Sequence, residues 1–430
     1  METQPKVSAA NDETQRCAFT TSLYTDLETA LSFVMLLGAP AAPLKKTEAL
    51  GVNEAAGQAA LAHHLAVGQQ SITFQEPPLS DPAMLPAARD LRYLLAYTVP
   101  ATAFVGLRLG GAWVWLTLAY AFGLVPLLEW LVRPTPGVPE VPAAAEARRH
   151  PFFDGLLYFN VPLLLALLAY FLVRMSSGAF GPAETAGAVL AVGICIGALG
   201  INVAHELGHR AHPAEQRLAQ VLLLGSLYLH FFIEHNRGHH RHVATLLDPA
   251  TSRLHEPFWA FLPRALVGEY RSAWHLEAER LRRAGQPAWS LKNQFLQFQV
   301  AQVLAVGAVL GLFGPAALLA WLGAVAVGMV LFQLVNYVEH YGLLRRRAAS
   351  GAYERVQPHH SWNSEHQLGR ILLYELTRHS DHHYQAARPY HSLRFQPASP
   401  QMPTGYPGMM LLATVPPLWF RVMNKRVPAG

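Results

Sequence analysis

The sequence predicts an all-α integral membrane protein, and three observations carry that reading. Of 430 residues, 52% are hydrophobic and only 14% charged, against about a quarter charged in an average soluble domain. The apolar residues gather into six stretches, 93–109, 113–132, 152–173, 183–204, 295–313 and 315–338, each close to the roughly 17–25 residues that a helix needs to cross a bilayer. All 21 histidines lie outside those stretches. Only helices or closed barrels satisfy their backbone groups in lipid, so segments of this length are read as helices.

Short connections near Gly110–Gly111, at 174–182 and at Gly314 pair the spans into three hairpins. The long segments, 1–92, 133–151, 205–294 and 339–430, then share the other side. They hold most of the basic residues, among them Arg148, Arg149, Arg210, Arg217, Arg237, Arg345, Arg346 and Arg347, whereas the turns hold little beyond Arg108, Arg174 and Glu184. The positive-inside rule makes the long segments and both termini cytoplasmic. The expected architecture is six transmembrane helices in three hairpins, with a cytoplasmic histidine-rich helical cap. A seventh apolar stretch, 218–233, is short for a crossing and is read as a buried or half-inserted helix.

Two parts are expected: an N-terminal extension, 1–90, and a membrane domain, 91–430. The extension is rich in Ala and Gln, has Pro breaks, and is expected to be flexible. Its apolar run, 31–37, lacks the length and basic lead of a secretory signal; a start at Met84 would leave a short leader. Two cysteines, Cys17 and Cys195, exclude a disulfide framework and a Cys-rich metal site. The net charge of +5 is scattered, which argues against a nucleic-acid partner.

The histidines fall into clusters. The first is His205-Glu206-Leu207-Gly208-His209, continuing the fourth span. The second is His235, His239 and His240; the third is His340 alone, after the sixth span; the fourth is His379, His382 and His383. Spacings of three and four put imidazoles on one helix face, one turn apart, as a chelated metal requires. Nine imidazoles exceed what one ion holds, so two ions are expected. Imidazole donors suit Fe, Cu, Ni and Zn, and spare ligands point to redox or Lewis-acid chemistry rather than a closed structural zinc. The soluble carboxylate-bridged di-iron design needs two Glu-x-x-His motifs, and the clusters offer one, Glu206–His209. Glu206, Glu234, Glu339 and Asp381, with Asp248 downstream, are expected to accept the far imidazole N–H and fix its tautomer. His63, His64, His150, His212, His255, His275 and His391 are read as surface residues. His230, His242, His359, His360 and His366 lie near the clusters without a defined spacing.

The motifs HELGHR at 205–210, FFIEHNRGHHRHVAT at 231–245, DPATSR at 248–253, NYVEHYGLLR at 336–345, QPHHSWNS at 357–364 and RHSDHH at 378–383 resemble those of the histidine-box membrane di-iron enzymes. Within that superfamily of desaturases and hydroxylases, the chain is similar to the alkane 1-monooxygenase family from about 93 to 427, with NYVEHYG the most discriminating segment. Arg210 stands where Lys is common and Thr377 where Gln is common. The resemblance implies nine iron ligands at His205, His209, His235, His239, His240, His340, His379, His382 and His383, and two non-haem irons. It implies O2-dependent hydroxylation of the terminal methyl of n-alkanes, in the bacterial inner membrane. The chain has neither a four-Cys rubredoxin module nor a dinucleotide-binding motif, so electrons must come from separate proteins, which the resemblance implies are rubredoxin and an NAD(P)H-dependent rubredoxin reductase. Arg345–Arg347 could dock an acidic carrier. Small residues on the second span, Ala119, Ala121 and Gly123, are expected to leave room for medium-to-long alkanes.

Other readings stand beside this one. A xylene-type or other histidine-box hydroxylase would share the chemistry. An intramembrane zinc protease would use His205–His209 as a literal H-E-x-x-H with Glu206 as base, leaving six clustered histidines unexplained. A metal transporter would place its ligands at mid-membrane, whereas these lie at span ends and beyond.

Overall fold

The computed structural model describes residues 86–132, 134 and 149–428. The expectations for the 1–90 extension and for His63 and His64 fall almost wholly outside them. The described residues are mainly helical, and their only β-pairings are isolated bridges. A 3-10 segment, Ala88–Tyr97, leads into α1 (Thr98–Leu109). Then come α2 (Gly111–Leu131), α3 (Pro151–Ser176) and α4 (Pro182–Gly208). The 205–294 segment contains α5 (Pro213–Gly225), α6 (His230–Glu234) and α7 (Phe258–Arg283). It is followed by α8 (Gln294–His340), α9 (Gln367–Leu372), α10 (His379–Tyr384), α11 (Tyr406–Ala413) and α12 (Pro416–Met423). Four of these, α2, α3, α4 and α8, are long and apolar enough to cross a membrane.

Local chemistry explains the boundaries. Gly110 and Gly111 take positive φ between α1 and α2, where only glycine is unstrained. Glu184 ties that turn to the start of α4, accepting from Gly111 N at 2.5 Å and Gly181 N at 2.9 Å. His150 caps α3 by accepting from Phe152 N, with proline at the first helical position, so this histidine serves the helix start. His212 caps α5 in the same way.

Helix α8 is not one straight rod. Gly314 has φ 81 and ψ 176, outside helical values, and Pro315 follows. Gln302 accepts from Leu229 N at 2.9 Å, and Gln333 donates to Tyr228 Oη at 2.9 Å. Two residues 31 apart along the helix therefore bond neighbouring positions, where a straight helix would separate them by about 46 Å.

Helix α4 is the central element: 72% of its most apolar window is buried, against 17% for α2. Its close approach to α8 depends on missing side chains. A Cβ on Gly193 would stand 2.5 Å from Val327, and one on Gly328 would stand 2.5 Å from Ile196. Small residues let helix backbones pack closely where no hydrophobic effect drives them together. The 218–233 stretch breaks in two: Leu227 takes positive φ between α5 and α6, and Leu222, Leu223, Tyr228 and Ile233 are buried. A second apolar core, around Phe258, Phe261, Tyr337, Tyr341, Trp362 and Trp419, packs the ends of α7 and α8 against the C-terminal helices.

Candidate metal centre

The nine clustered histidines converge in two groups. One holds His205, His209, His235, His240 and His382; the other holds His239, His340, His379 and His383. Helix α4 supplies His205 in its last turn and His209 at its C-cap, α8 ends on His340, and α10 brings His379, His382 and His383.

Nε2 atoms face one another. In the first group, His205–His382, His209–His235, His235–His240 and His240–His382 lie 2.9, 3.0, 3.0 and 3.2 Å apart. In the second, His379–His383, His239–His383 and His340–His379 lie 2.8, 3.2 and 3.2 Å apart. An imidazole nitrogen carries either one hydrogen or one lone pair, so those with two nitrogen neighbours cannot bond both. A cation between them resolves the conflict: two nitrogens at right angles on an ion at about 2.1 Å are about 3.0 Å apart. With every donor in both sets an imidazole and none a thiolate, the residues fit an imidazole-ligated metal site.

A helical spacing of four pairs His235 with His239, but the structure separates them. His235–His239 forms a π turn, and the wider turn brings His235 and His240, five apart, to one centre while His239 reaches the other. Such turns insert a residue into a helix and recur at functional sites. In α10 the i,i+4 pair His379 and His383 shares the second group, and His382 crosses to the first.

Burial disfavours the charged form of several of these imidazoles, in line with the neutral state that ligands need. It is the main cause lowering His209 to about 3, helped by His239 and Arg210. Burial, then neighbouring histidines, depresses His235, His240, His379, His382 and His383 well below the ordinary range.

The carboxylates take different places. Glu206 accepts from Arg210 at 2.7 Å and from Tyr390 N at 3.2 Å. Glu234 accepts from Ser272 Oγ at 3.2 Å. Asp381 accepts from Arg388, Arg394 N and Gln396, fastening the chain after α10. Glu339 does reach an imidazole, but at Nε2 of His379, 3.2 Å away, while Tyr406 Oη donates to its other oxygen at 2.8 Å. It therefore stands on the side where the nitrogens converge. The far N–H of His239 is taken by Asp248, 3.0 Å from Nδ1 and itself held by Thr251 Oγ1 and Ala250 N. Asn363 exchanges two bonds with Ser380, at 2.8 and 2.9 Å, anchoring the start of α10. Its WNS motif gave no metal-ligand signal because its role is to hold a helix.

A fatty acid desaturase family model matches residues 182–412, and all nine histidines fall within it. Alkane 1-monooxygenase 1 of Alcanivorax borkumensis is 39% identical over 361 residues, covering 82% of this chain and 89% of the relative. Alkane 1-monooxygenase of Pseudomonas putida is 40% identical over 341 residues, 78% of this chain and 84% of the relative. The chain belongs to the alkane 1-monooxygenase family. The hydroxylase component of a Pseudomonas putida xylene/toluene monooxygenase is also similar, at 33% identity over 78% of this chain and 88% of the relative.

As an alkane 1-monooxygenase family member, the protein is an oxidoreductase, and it has an apolar cavity of ≈ 710 Å³, partly open to the outside, lined by Val99, Tyr120, Phe122, Ile194, Leu331 and Met410 among others. Ala121 is on its wall; Ala119 and Gly123 are not. Asn202 and Leu376 are shared with a smaller cavity that reaches His205 and His382. A third group, Glu354, His359 and His360, has ligand-like proximity. However, His360 Nδ1 accepts from Gln357 N at 2.9 Å, and its Nε2 lies 3.2 Å from Glu354, so both ring nitrogens are in use.

Proposed function

We propose that this protein hydroxylates the terminal methyl of n-alkanes with O2, giving 1-alkanols and water, at a pair of irons. The five-histidine group would hold one iron and the four-histidine group the other. The observation that carries the reading is the meeting of an apolar cavity with the imidazoles at Asn202, Leu376, His205 and His382. An alkane offers no polar handle, so a site for it must bind by shape and apolar contact. When bound, the metal pair supplies the oxidising equivalents from O2 that a strong, unpolarised C–H bond demands.

The chain's own groups do the rest. The cavity walls exclude water and present one chain end to the five-histidine group. Asp248 holds His239 with Nδ1 protonated, turning the Nε2 lone pair toward its iron. Glu339 offers the four-histidine group an oxygen donor, positioned by Tyr406. Glu206 is paired through Oε1 with Arg210 and Tyr390 N, which favours a structural role over that of a zinc protease's base.

Six spans in three hairpins are the membrane arrangement we favour, with α1 and its leading 3-10 segment as one span and α8 divided at Gly314 into two. The long segments and both metal groups would face the cytoplasm across a bacterial inner membrane. Electrons would arrive from rubredoxin and its NAD(P)H-dependent reductase. Leu246 and Leu247 stand 61% and 63% exposed immediately before Asp248, and Arg345 ties the stretch that carries the exposed Arg346 and Arg347 to the preceding turn by donating to Ala244 O at 2.7 Å and Arg241 O at 2.8 Å. An apolar patch with a basic rim suits a small acidic carrier.

The test is iron content and product identity on one purified detergent-solubilised sample. Two irons per chain and 1-octanol from octane, O2, NADH, rubredoxin and its reductase are expected. Two irons with benzylic alcohol from xylene and no octanol would move the substrate to that of the xylene-type relative. Zinc without alcohol would overturn the reading.

A further inference from the structure

Tyr374 lines the small cavity that also contains His205 and His382. Its ring is 5.4 Å, centroid to centroid, from that of Tyr390, and the Tyr390 ring is 5.6 Å from that of Tyr93. Both contacts are edge-to-face, and the three tyrosines are 4%, 1% and 3% exposed. The row runs from the five-histidine group to the helix Ala88–Tyr97, where Leu91 and Leu94 flank Tyr93 and are exposed. At that outer end the Tyr93 hydroxyl donates to Glu375 Oε1 at 2.5 Å. Arg370 donates to the other carboxylate oxygen at 2.7 Å.

A second observation is independent of the ring contacts. Tyr374 and Glu375 have φ of 51 and 58, two consecutive non-glycine residues in the left-handed region. Each is strained for an L residue and persists only where surrounding structure enforces it. Here the enforced residues are the inner tyrosine of the row and the proton acceptor at its outer end. Asn160 fixes Tyr374 further, donating to its hydroxyl at 2.9 Å. Packing alone would be met by Phe, with no carboxylate required at the last hydroxyl.

We infer that Tyr374, Tyr390 and Tyr93 form a protective relay that drains oxidising equivalents from the metal centre when O2 has been activated and no alkane occupies the cavity. The inference rests on the monooxygenase reading above. Tyr374 gives one electron to the oxidised centre, and the vacancy passes through Tyr390 to Tyr93. The Tyr93 O–H proton moves to Glu375, leaving a neutral phenoxyl radical. A thiol or ascorbate-class reductant returns the electron, and Glu375 returns the proton. Two such events, with two protons from solvent, restore the resting centre and release water, so no imidazole ligand is oxidised.

The experiment freezes iron-loaded, reduced full-length enzyme within milliseconds of mixing with O2, with and without octane, and records its electron paramagnetic resonance. A tyrosyl signal is expected without octane, narrowed by ring-deuterated tyrosine and suppressed by octane. Tyr93→Phe should abolish the terminal signal and leave the initial octanol rate unchanged. It should also cut the turnovers survived before inactivation several-fold, with oxidised histidine appearing in ligand peptides by mass spectrometry. Tyr374→Phe should also abolish the terminal signal and shorten survival, which guards against a folding defect in either variant alone. Octanol production with no tyrosyl signal, or with a signal that Tyr93→Phe leaves intact, would overturn the relay alone. An iron-replete enzyme that yields neither octanol nor radical would overturn the monooxygenase reading and the relay with it.

Discussion

Asp248 Oδ2 lies 3.0 Å from His239 Nδ1, and both side chains are buried. The carboxylate fixes the proton on Nδ1, so the Nε2 lone pair points at the other three imidazoles of the group. Removing such an outer partner costs roughly 10–100-fold in metal affinity or activity. Asp248→Asn should therefore weaken iron retention at the four-histidine group and spare the five-histidine group. Chelator-competition titration of iron loss from wild type and variant measures this; equal retention of both irons would remove the assigned role.

The division of the histidines is testable through two neighbours four residues apart. His235→Ala should deplete the five-histidine group, and His239→Ala the four-histidine group, although both lie on the same π turn. Mössbauer spectra of the two iron-57-loaded variants should lose different components of the wild-type spectrum. Loss of the same component in both would restore the shared centre that the i,i+4 spacing suggests.

Much of this centre is readable from residue order, for a physical reason. A metal held by imidazoles requires several histidines on short rigid segments, and HELGH, EHNRGHH, EHYG and HSDHH supply them. What order could not supply is the partition into two groups. It depends on one extra residue in the turn at His235–His239, and a π turn has the same composition as the α turn it replaces. Of the carboxylates expected to take a far imidazole N–H, Asp248 does so at His239, while the roles of the others were hidden. Glu206, Glu234 and Asp381 sit beside ligands in sequence, but helix geometry turns them toward Arg210, Ser272 and Arg388. Asp248, eight residues beyond His240, folds back onto His239. Among the spans, length and apolarity mark α2, α3, α4 and α8 clearly. Segment 93–109 is less regular because its first part is wound as a 3-10 helix.

Neutral buried imidazoles make the metal-free fold sensitive to acid. His209 has its pKa lowered from 6.5 to about 3, so between those values the unfolded chain binds a proton that the folded chain refuses. Its stability contribution is complete above pH 6.5 and falls on acidification at about 1.4 kcal/mol per pH unit, saturating near the folded value. The other depressed histidines shift in the same direction. Metal-depleted enzyme should melt markedly lower at pH 5 than at pH 7.5, by thermal unfolding in one detergent. A flat profile would show that the cluster is solvated and not sealed.

Glu206 and Arg210, both buried, form an ion pair one helical turn apart at 2.7 Å. Removing one partner of a buried pair costs up to about 3–5 kcal/mol when the other charge is left uncompensated, and less here because Arg210 keeps Asp154 at 3.4 Å. Glu206→Gln should thus lower the unfolding temperature while retaining measurable hydroxylation in the folded fraction. A zinc-protease base would behave oppositely, with catalysis abolished and stability kept. Thermal unfolding and octanol formation on the same preparation separate the two.

The cavity wall gives the last prediction. Ala121 lines the apolar cavity beside Tyr120 and Phe122, midway along α2, so a larger side chain there takes up length that an alkane would otherwise occupy. Ala121→Trp should leave octane hydroxylation near the wild-type rate and sharply reduce hexadecane hydroxylation. The shift follows from sterics alone, since protein interiors have few voids to absorb an added ring and overpacking typically costs about 1–3 kcal/mol. Product analysis across an alkane length series provides the measurement. A wild-type enzyme confined to the shortest alkanes would sink the medium-to-long substrate range. An unchanged length profile in Ala121→Trp would place the substrate path elsewhere, with the metal groups reached from another side.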